Sequence, residues 1–177
     1  MITASSEKSE LLNSIGKAIS EMDALISSLD ENQINTVPFK DSWTAAQVSR
    51  HVSKSINGMA KAMRMEAKPA ERKVDEKIPM LKNAFLDFSS KMKSPPFIVP
   101  EEGPYEKRSV TEQLNNAFEK FKESTLNANL SELPENLPLG AVTKLELLHF
   151  VLYHTQRHLH QMTRICEALK DQHLSTN

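Results

Sequence analysis

The sequence predicts an all-α fold, an up-and-down helical bundle, and three observations lead to that prediction. Apolar residues recur at spacings of three and four in four segments, which is the repeat of an amphipathic helix. Three segments open with Thr or Ser followed three residues later by Gln or Glu, the capping-box pattern. No stretch alternates long enough to predict a β-strand. The length of 177 residues is typical of one domain, so we take 1–177 as a single domain.

The first two helices are predicted from their apolar stripes. The first runs from about Ser6 to Leu29, and its stripe consists of Leu11, Leu12, Ile15, Ile19, Met22, Ile26 and Leu29. The second begins after Thr44, because Thr44 and Gln47 form a capping-box pair, and it ends near Pro69. Its stripe consists of Val48, His51 or Val52, Ile56, Met59 and Met63.

A short extra helix and a long loop are predicted between the second and fourth helices. The helix ends near Lys93, and its apolar positions are Ile78, Leu81, Phe85 and Phe88. The run 94–100 contains three prolines, which remove backbone donors and favour extended geometry, so the helix cannot continue. Within the resulting loop, 94–108, residues 97–99 could form a very short extended piece. Because long loops in compact domains are often functional, this loop is a candidate for the mouth of a cavity.

The last two helices each begin with a capping-box pattern. Ser109 and Glu112 predict the start of the fourth helix, and its buried side is predicted to be Val110, Leu114, Ala117, Phe118, Phe121 and Leu126. Thr143 and Glu146 predict the start of the longest helix, over about 144–170. The apolar stripe of that helix consists of Leu147, Val151, His154, His158, Met162, Ile165 and Leu169.

The composition excludes several classes of function. A formal net charge of −1 offers no field of one sign for nucleic acid or anionic lipid. No stretch reaches the roughly 20 apolar residues that span a bilayer, and the N-terminus lacks the apolar core of a signal peptide. We therefore expect a cytoplasmic protein without a membrane or nucleic-acid partner. The single cysteine, Cys166, excludes a disulfide framework and a multi-thiolate metal site.

The positions of the histidines in the sequence indicate a candidate metal site. Five of the six lie in the C-terminal third, namely His149, His154, His158, His160 and His173. His154 and His158 are four apart, so they share one helix face and could hold one ion at about 2.0–2.1 Å from each nitrogen. His160 is rotated by about 200° from His158, and His149 by about 140° from His154, so neither can join that ion. We expect these two at the surface or at an interface.

A third ligand would have to come from another helix, and His51 is the histidine outside the C-terminal third. It lies beside the apolar stripe of the second helix. A lone core histidine is more often hydrogen-bonded than metal-bound, and an isolated H-x-x-x-H pattern also arises by chance. Two adjacent buried imidazoles, however, need a partner, because an unpaired one costs about 1–3 kcal/mol. His51, His154 and His158 are therefore the candidate metal ligands, and three ligands leave a coordination position open.

Other residues near the candidate ligands have both a functional and a structural explanation. Gln161 could be a hydrogen-bond partner behind the ligands, although a solvated glutamine is slightly preferred. Trp43 could be a cavity wall, although most such tryptophans are packing residues. Cys166 is predicted to be a small buried hydrophobe. No Asp or Glu lies obviously beside the histidines, so a general base is missing unless metal-bound water of lowered pKa serves.

Two motifs resemble a known family. The segment WTAAQVSRHV, residues 43–52, and the segment HTQRHLHQM, residues 154–162, are similar in order and spacing to motifs of the DinB-like superfamily. The resemblance implies an up-down-down-up four-helix bundle, often a homodimer, with a zinc or nickel ion held by three histidines. By position these are His51, His154 and His158. The superfamily includes S-transferases and isomerases that use bacillithiol or mycothiol, and YfiT-like proteins described as metal-dependent hydrolases.

Two hypotheses about function follow. The first is a divalent-metal-dependent enzyme, a thiol S-transferase or a hydrolase, acting on a small molecule with a low-molecular-weight thiol or water as the attacking group. The second is a non-enzymatic bundle that binds a small ligand or dimerises and keeps a structural or vestigial metal site. The residues favour neither zinc nor nickel, because affinity order and availability both decide metal choice.

Overall fold

The computed structural model describes residues 4–174, and helices dominate it, which confirms the predicted all-α class. The helices are α1 (Ala4–Ser27), α2 (Ala45–Arg64), α3 (Ile78–Leu86), α4 (Lys107–Leu126) and α5 (Lys144–Leu174). Single turns of 3-10 helix span Gln33–Asn35 and Pro96–Ile98. Two short strands, β1 (Ala67–Pro69) and β2 (Glu132–Pro134), pair antiparallel, with Ala67 opposite Pro134. None of the helices in the described part of the chain is long and apolar enough to cross a membrane.

The predicted apolar stripes form the core. Every stripe residue of α1 and α5 is buried, including His154 and His158 in the middle of the α5 stripe. Both Val52 and His51 are buried on α2, so its buried face is wider than a single stripe. On α4 the prediction is wrong for Leu126, which is 59% exposed because it lies at the last residue of the helix.

Two of the three predicted capping boxes are present. The Thr44 hydroxyl accepts from the Gln47 backbone N–H, and the Gln47 side chain accepts from the Thr44 N–H in return. Thr143 and Glu146 make the same reciprocal pair at the start of α5. Each pair satisfies backbone donors that a helix start leaves without partners, so α2 and α5 begin where the sequence predicts.

The predicted start of α4 at Ser109 is wrong. The helix begins two residues earlier, at Lys107, after Glu106 in an extended conformation. The Lys107 backbone N–H donates to the carboxylate of Glu31, 3.0 Å away, so a side chain distant in sequence satisfies the helix start. A tertiary contact thus overrides the local pattern at Ser109.

The third helix is shorter than predicted and ends at Leu86 instead of near Lys93. Asp87 follows it in an extended conformation, and its carboxylate accepts hydrogen bonds from the backbone and hydroxyl of Ser89. Such local bonds give the backbone an alternative to the helix. Phe88 therefore lies outside the helix and is 43% exposed.

The prediction for the loop 94–108 is wrong in one detail. Residues 97–99 do not form an extended piece, because Pro96–Ile98 is a turn of 3-10 helix. The sequence also gave no indication of β1 and β2, since strands of three residues are too short to show alternation.

The long helices pack so that α2 contacts both α4 and α5, and α1 contacts both α5 and α4. The short α3 packs on α5. The contact between α2 and α5 is the one that positions the histidines, because it places the N-terminal half of α2 against the middle of α5.

Candidate metal centre

The structure brings three histidines together across the contact between α2 and α5. His51 lies two turns into α2, and His154 and His158 lie one turn apart on α5. Their ring centroids are 4.5–5.1 Å apart, and one ring nitrogen of each lies within 4.8 Å of the others. We call these three residues the histidine cluster, and such a cluster could hold a metal ion.

The histidine cluster is buried and uncharged at neutral pH. His51, His154 and His158 are 1%, 5% and 8% exposed. Burial, together with the neighbouring His51, lowers the pKa of His158 to about 3. Burial and the two neighbouring imidazoles hold the pKa of His154 well below its usual value, and burial also lowers that of His51. Neutral imidazole is the form that binds a metal.

Two hydrogen bonds fix which ring nitrogens carry the protons. The Nδ1 atom of His51 lies 2.9 Å from the carbonyl oxygen of Ile98, and that of His158 lies 2.8 Å from Oε1 of Gln161. Because both partners can only accept, both Nδ1 atoms donate. In a neutral ring the Nε2 atom is then left with a free lone pair, which is the arrangement that partners behind a metal ligand impose.

Two of the inward-facing nitrogens, which form a hydrogen-bonded pair in this structure, also have the spacing of ligands around one ion. Nε2 of His51 and Nε2 of His154 are 3.1 Å apart. Two nitrogens at about 2.05 Å from one metal are separated by about 2.9 Å at a right angle and about 3.3 Å at a tetrahedral angle. The observed distance lies between these values. The residues therefore fit a divalent ion with nitrogen ligands.

The histidine cluster opens into a cavity of about 1340 Å³. Trp43 at the start of α2 forms one wall, with its ring centroid 4.9 Å from that of His51. Phe85 and Phe150 pack their rings against His154 from the side of α3 and α5. A metal bound by the three imidazoles would therefore face a space large enough for small molecules.

The loop 94–108 contributes to the cavity, as its length suggested. Phe97, Ile98 and Val99 line the cavity, and the Ile98 carbonyl binds His51. The loop is held from outside by Glu101, whose carboxylate accepts from Arg50 and Lys54 of α2. Sequence reasoning identified the loop but not Ile98, because a backbone carbonyl has no sequence pattern.

Gln161 and Trp43 both contact the histidine cluster. The explanation of Gln161 as a solvated glutamine is wrong, whereas Trp43 lines the cavity and also packs against the hydrophobic core, as most such tryptophans do. The carboxamide of Gln161 binds His158, and Trp43 lies against His51. Cys166 is a buried small side chain, as predicted: it is 1% exposed, and burial raises the pKa of its thiol.

His149 and His160 stay outside the cluster. His149 is half-buried on the other side of α5, where its ring bonds the Tyr153 hydroxyl. His160 is exposed and stacks on Phe88 at the edge of the cavity, with centroids 4.2 Å apart. The side chain of His173 lies outside the described residues.

The cavity contains almost no acidic groups. Among the described residues that line it, Asp41 is the one carboxylate, and it lies on the loop before α2. The expectation that no Asp or Glu stands beside the histidines therefore agrees with the structure. Among the described lining residues, no side-chain carboxylate is therefore placed next to the histidines to remove a proton.

Fold and site together define an all-helical protein with a buried three-histidine cluster at the base of a large cavity. The family model of the DinB superfamily matches residues 15–162, and the chain belongs to that superfamily. No curated protein and no solved structure matches the chain.

Proposed function

We propose that this protein is a divalent-metal-dependent enzyme of the thiol S-transferase or hydrolase type, with His51, His154 and His158 as metal ligands. The observation that carries the proposal is the set of three buried neutral imidazoles whose inward nitrogens converge at the base of a cavity. Three protein ligands leave room for a further ligand, which is typical of catalytic ions and not of closed structural ones. Zinc and nickel are the proposed metals.

The reaction would depend on a bound metal and on the groups that hold its ligands. A divalent metal lowers the pKa of a bound water or thiol, which supplies a nucleophile at neutral pH. Ile98 and Gln161 keep the two Nδ1 protons away from the ion and so keep both Nε2 lone pairs available. Trp43, Phe85 and Phe150 surround the histidines with rings that exclude water from their sides.

The size of the cavity favours a reaction between two molecules. Pockets for one small ligand usually measure about 300–1000 Å³. The cavity of about 1340 Å³ has room for a substrate together with a small thiol. This supports transfer to or from a thiol over hydrolysis.

An up-down-down-up arrangement of α1, α2, α4 and α5 is part of the proposal. Contacts of Glu7 with His149 and of Leu25 with Cys166 support parallel α1 and α5. Contacts of Ser49 with Val110 and of Arg64 with Ser124 support parallel α2 and α4. Contacts of Lys8 with Leu126 and of Asp23 with Asn115 support antiparallel α1 and α4. A homodimer and a cytoplasmic location are proposed from the family resemblance and the sequence alone.

Elemental analysis of the purified protein tests the metal site. We expect about one equivalent of a transition metal in the wild type and in His149→Ala, a control that removes a histidine outside the cluster. The His154→Ala/His158→Ala variant should contain almost none. If the wild type takes up no metal even after zinc or nickel is added, the proposal is wrong and the bundle is non-enzymatic or carries a vestigial site.

An activity screen tests the reaction type. The metal-loaded protein is mixed with a low-molecular-weight thiol and a chromogenic aryl halide, and thiol consumption is followed. Consumption that requires both the metal and His51 supports S-transfer. Ester hydrolysis without thiol dependence would assign the hydrolase type instead.

A further inference from the structure

We propose that the substrate bound in the cavity is an elongated amphipathic organic anion. Its acid group would contact basic side chains of the cavity, and its apolar body would lie along exposed hydrophobic side chains of the cavity. The reaction of that substrate rests on the proposed function above. Its binding rests on two independent properties of the cavity, its charge and its exposed apolar surface.

The charge of the cavity differs from the charge of the chain. The chain has a formal net charge of −1, whereas eight basic side chains and one acidic side chain line the cavity. Clefts lined by one sign of charge concentrate field lines and attract ligands of the opposite sign. The cavity is therefore suited to an anion although the whole protein is not basic.

Three of the eight basic groups are already engaged. Arg50 and Lys54 both pair with Glu101, and Arg157 donates to the backbone carbonyls of Phe85, Asp87 and Ser90. These bonds hold the loop and the segment after α3 in place. They leave these three groups with structural roles.

The other five basic groups form what we call the basic rim: Lys40, Lys61, Lys91, Lys93 and Arg164. Within the described part of the chain, no carboxylate lies within 4 Å of their charged ends. Arg164 lies 5.9 Å above the ring of Phe39, which leaves its guanidinium edge available for an acid group. Charge-assisted hydrogen bonds to such groups are stronger than neutral ones.

The apolar part of the ligand is inferred from exposed side chains. Five of the nine large hydrophobic side chains that are exposed in the described residues line this one cavity, namely Phe39, Phe88, Met92, Phe97 and Val99. We call them the aromatic wall. Scattered exposed hydrophobic residues need no explanation, but a cluster of them beside a cavity is typical of a ligand-binding surface.

The ligand must be elongated because Lys61 and Arg164, the two members of the basic rim on helices, lie far from the histidines. Since α2 and α5 run antiparallel, these two residues lie on opposite sides of the histidine cluster, with Arg164 near Phe39 before the start of α2. Lys61 is ten residues after His51 on α2, about 15 Å along the axis, and Arg164 is six residues after His158 on α5, about 9 Å. An acid group held at either end therefore leaves a body that must span about 15 Å from Lys61 or about 9 Å from Arg164 to reach the histidine cluster. The reacting atom is expected at the end opposite the acid group.

The test compares phenylhexanoate with phenylhexanol, which differ in the acid group. Trp43 is the single tryptophan and lines the cavity, so its fluorescence reports binding without a label. We expect the acid to bind at least about tenfold more tightly than the alcohol. In Lys61→Gln/Lys91→Gln/Lys93→Gln, which leaves Lys40 and Arg164 in place, this preference should fall by at least about threefold while the alcohol binds as before.

The matched control is Lys17→Gln/Lys73→Gln/Lys120→Gln, which removes the same charge from exposed lysines outside the cavity and should bind the acid like the wild type. Added salt should weaken acid binding to the wild type, since exposed charges are screened. Equal affinity for acid and alcohol would overturn the proposal. So would a preference for the acid that the triple substitution leaves unchanged and that depends on metal alone.

Metal content measured on the same samples separates the two proposals. Charge-dependent binding in a protein that takes up no metal would refute the proposed function and leave the ligand class standing. Full metal content without any preference for the acid would refute the ligand class and leave the metal centre standing.

Discussion

Two buried polar clusters lie on the same helix, α5, and they differ in whether the protein satisfies them. At the helix start, the fully buried Glu146 carboxylate accepts two bonds from Arg72 and one backbone bond each from Lys77 and Thr143. We call this the carboxylate cluster. All four bonds measure 2.6–2.8 Å, so the buried charge is fully compensated.

In the middle of α5 the inner side of the histidine cluster has hydrogen-bond partners only within the cluster itself. Its outward nitrogens bind Ile98 and Gln161, while the inward nitrogens of His51 and His154 face each other at 3.1 Å. The carboxylate cluster is closed by donors of the protein, whereas the inward nitrogens of the histidine cluster could hold a metal ion instead of bonding each other. The difference separates a structural polar group from a candidate functional one without reference to sequence motifs.

The largest expected effect is on the carboxylate cluster. Glu146→Gln keeps the size of the side chain but leaves Arg72 without its counter-charge. Breaking a buried ion pair on one side typically costs about 3–5 kcal/mol, so the free energy of unfolding in urea should fall by about 3 kcal/mol or more. Glu119→Gln, which removes an exposed surface pair, should change it by less than about 0.5 kcal/mol. A loss below about 1 kcal/mol for Glu146→Gln would contradict the comparison.

The pH dependence of stability provides a check on the same cluster. Burial raises the pKa of the Glu146 carboxyl, but the bonds from Arg72, Thr143 and Lys77 lower it more, so its pKa in the folded protein is below 4.5. This contribution to stability is present above pH 4.5 and is lost as the pH falls through the lowered pKa. Stability of Glu146→Gln should therefore fall less over this acid range than that of the wild type.

The second effect is a stabilisation by metal binding to the histidine cluster. If it binds zinc, free zinc at 100 times the dissociation constant should stabilise the protein by about 2.7 kcal/mol. A thermal shift assay should show this stabilisation in the wild type and also in Glu146→Gln, which changes only the carboxylate cluster. His154→Ala/His158→Ala should show no shift. An equal shift in that variant would place the zinc elsewhere.

A smaller effect is expected from the group behind a ligand. Gln161→Leu removes the acceptor that fixes the His158 ring, and loss of such a partner typically weakens metal affinity about 10- to 100-fold. Competition with a chromogenic chelator measures it. Gln156→Leu, on the same helix but outside the cavity, is the matched control and should leave affinity unchanged. Equal affinity in both variants would mean that Gln161 has no part in the site.

The smallest effect compares two helix starts with the same sequence pattern. Thr44→Ala removes the capping box at the start of α2 and should cost about 1 kcal/mol of stability. Ser109→Ala changes a residue inside the first turn of α4, where no capping box forms, and should cost less than about 0.5 kcal/mol. Urea unfolding of both variants decides whether the local pattern or the observed cap determines the cost. Equal losses would mean that the cap at Thr44 is not what stabilises α2.

The sequence predicted those features that depend on local periodicity. The α1 and α5 stripes and the starts of α2 and α5 follow from spacing and capping chemistry alone. The start of α4 could not be predicted in this way, because the side chain that caps it, Glu31, is 76 residues away. The end of α3 could not be predicted either, because the turn at Asp87 competes with the helix.

The candidate site was predictable to a similar extent. Histidine spacing on α5 identified His154 and His158 as a pair, and the single remaining histidine on another apolar stripe identified His51. The Ile98 carbonyl, the aromatic wall and the rim residues Lys40, Lys91 and Lys93 could not be predicted, because they come from loops whose path is set by tertiary packing. Sequence patterns indicate ligands on regular helices better than the surroundings that loops supply.

The burial of Cys166 has a consequence for the proposed reaction with a small thiol. Thiol–disulfide exchange requires an accessible thiolate, and burial both shields the Cys166 sulfur and raises the pKa of its thiol. Since it is the single cysteine, the chain offers no accessible thiolate that could form a mixed disulfide with a cosubstrate. The protein is thereby protected from self-inactivation under oxidising stress, when mixed disulfides with small thiols accumulate on exposed cysteines.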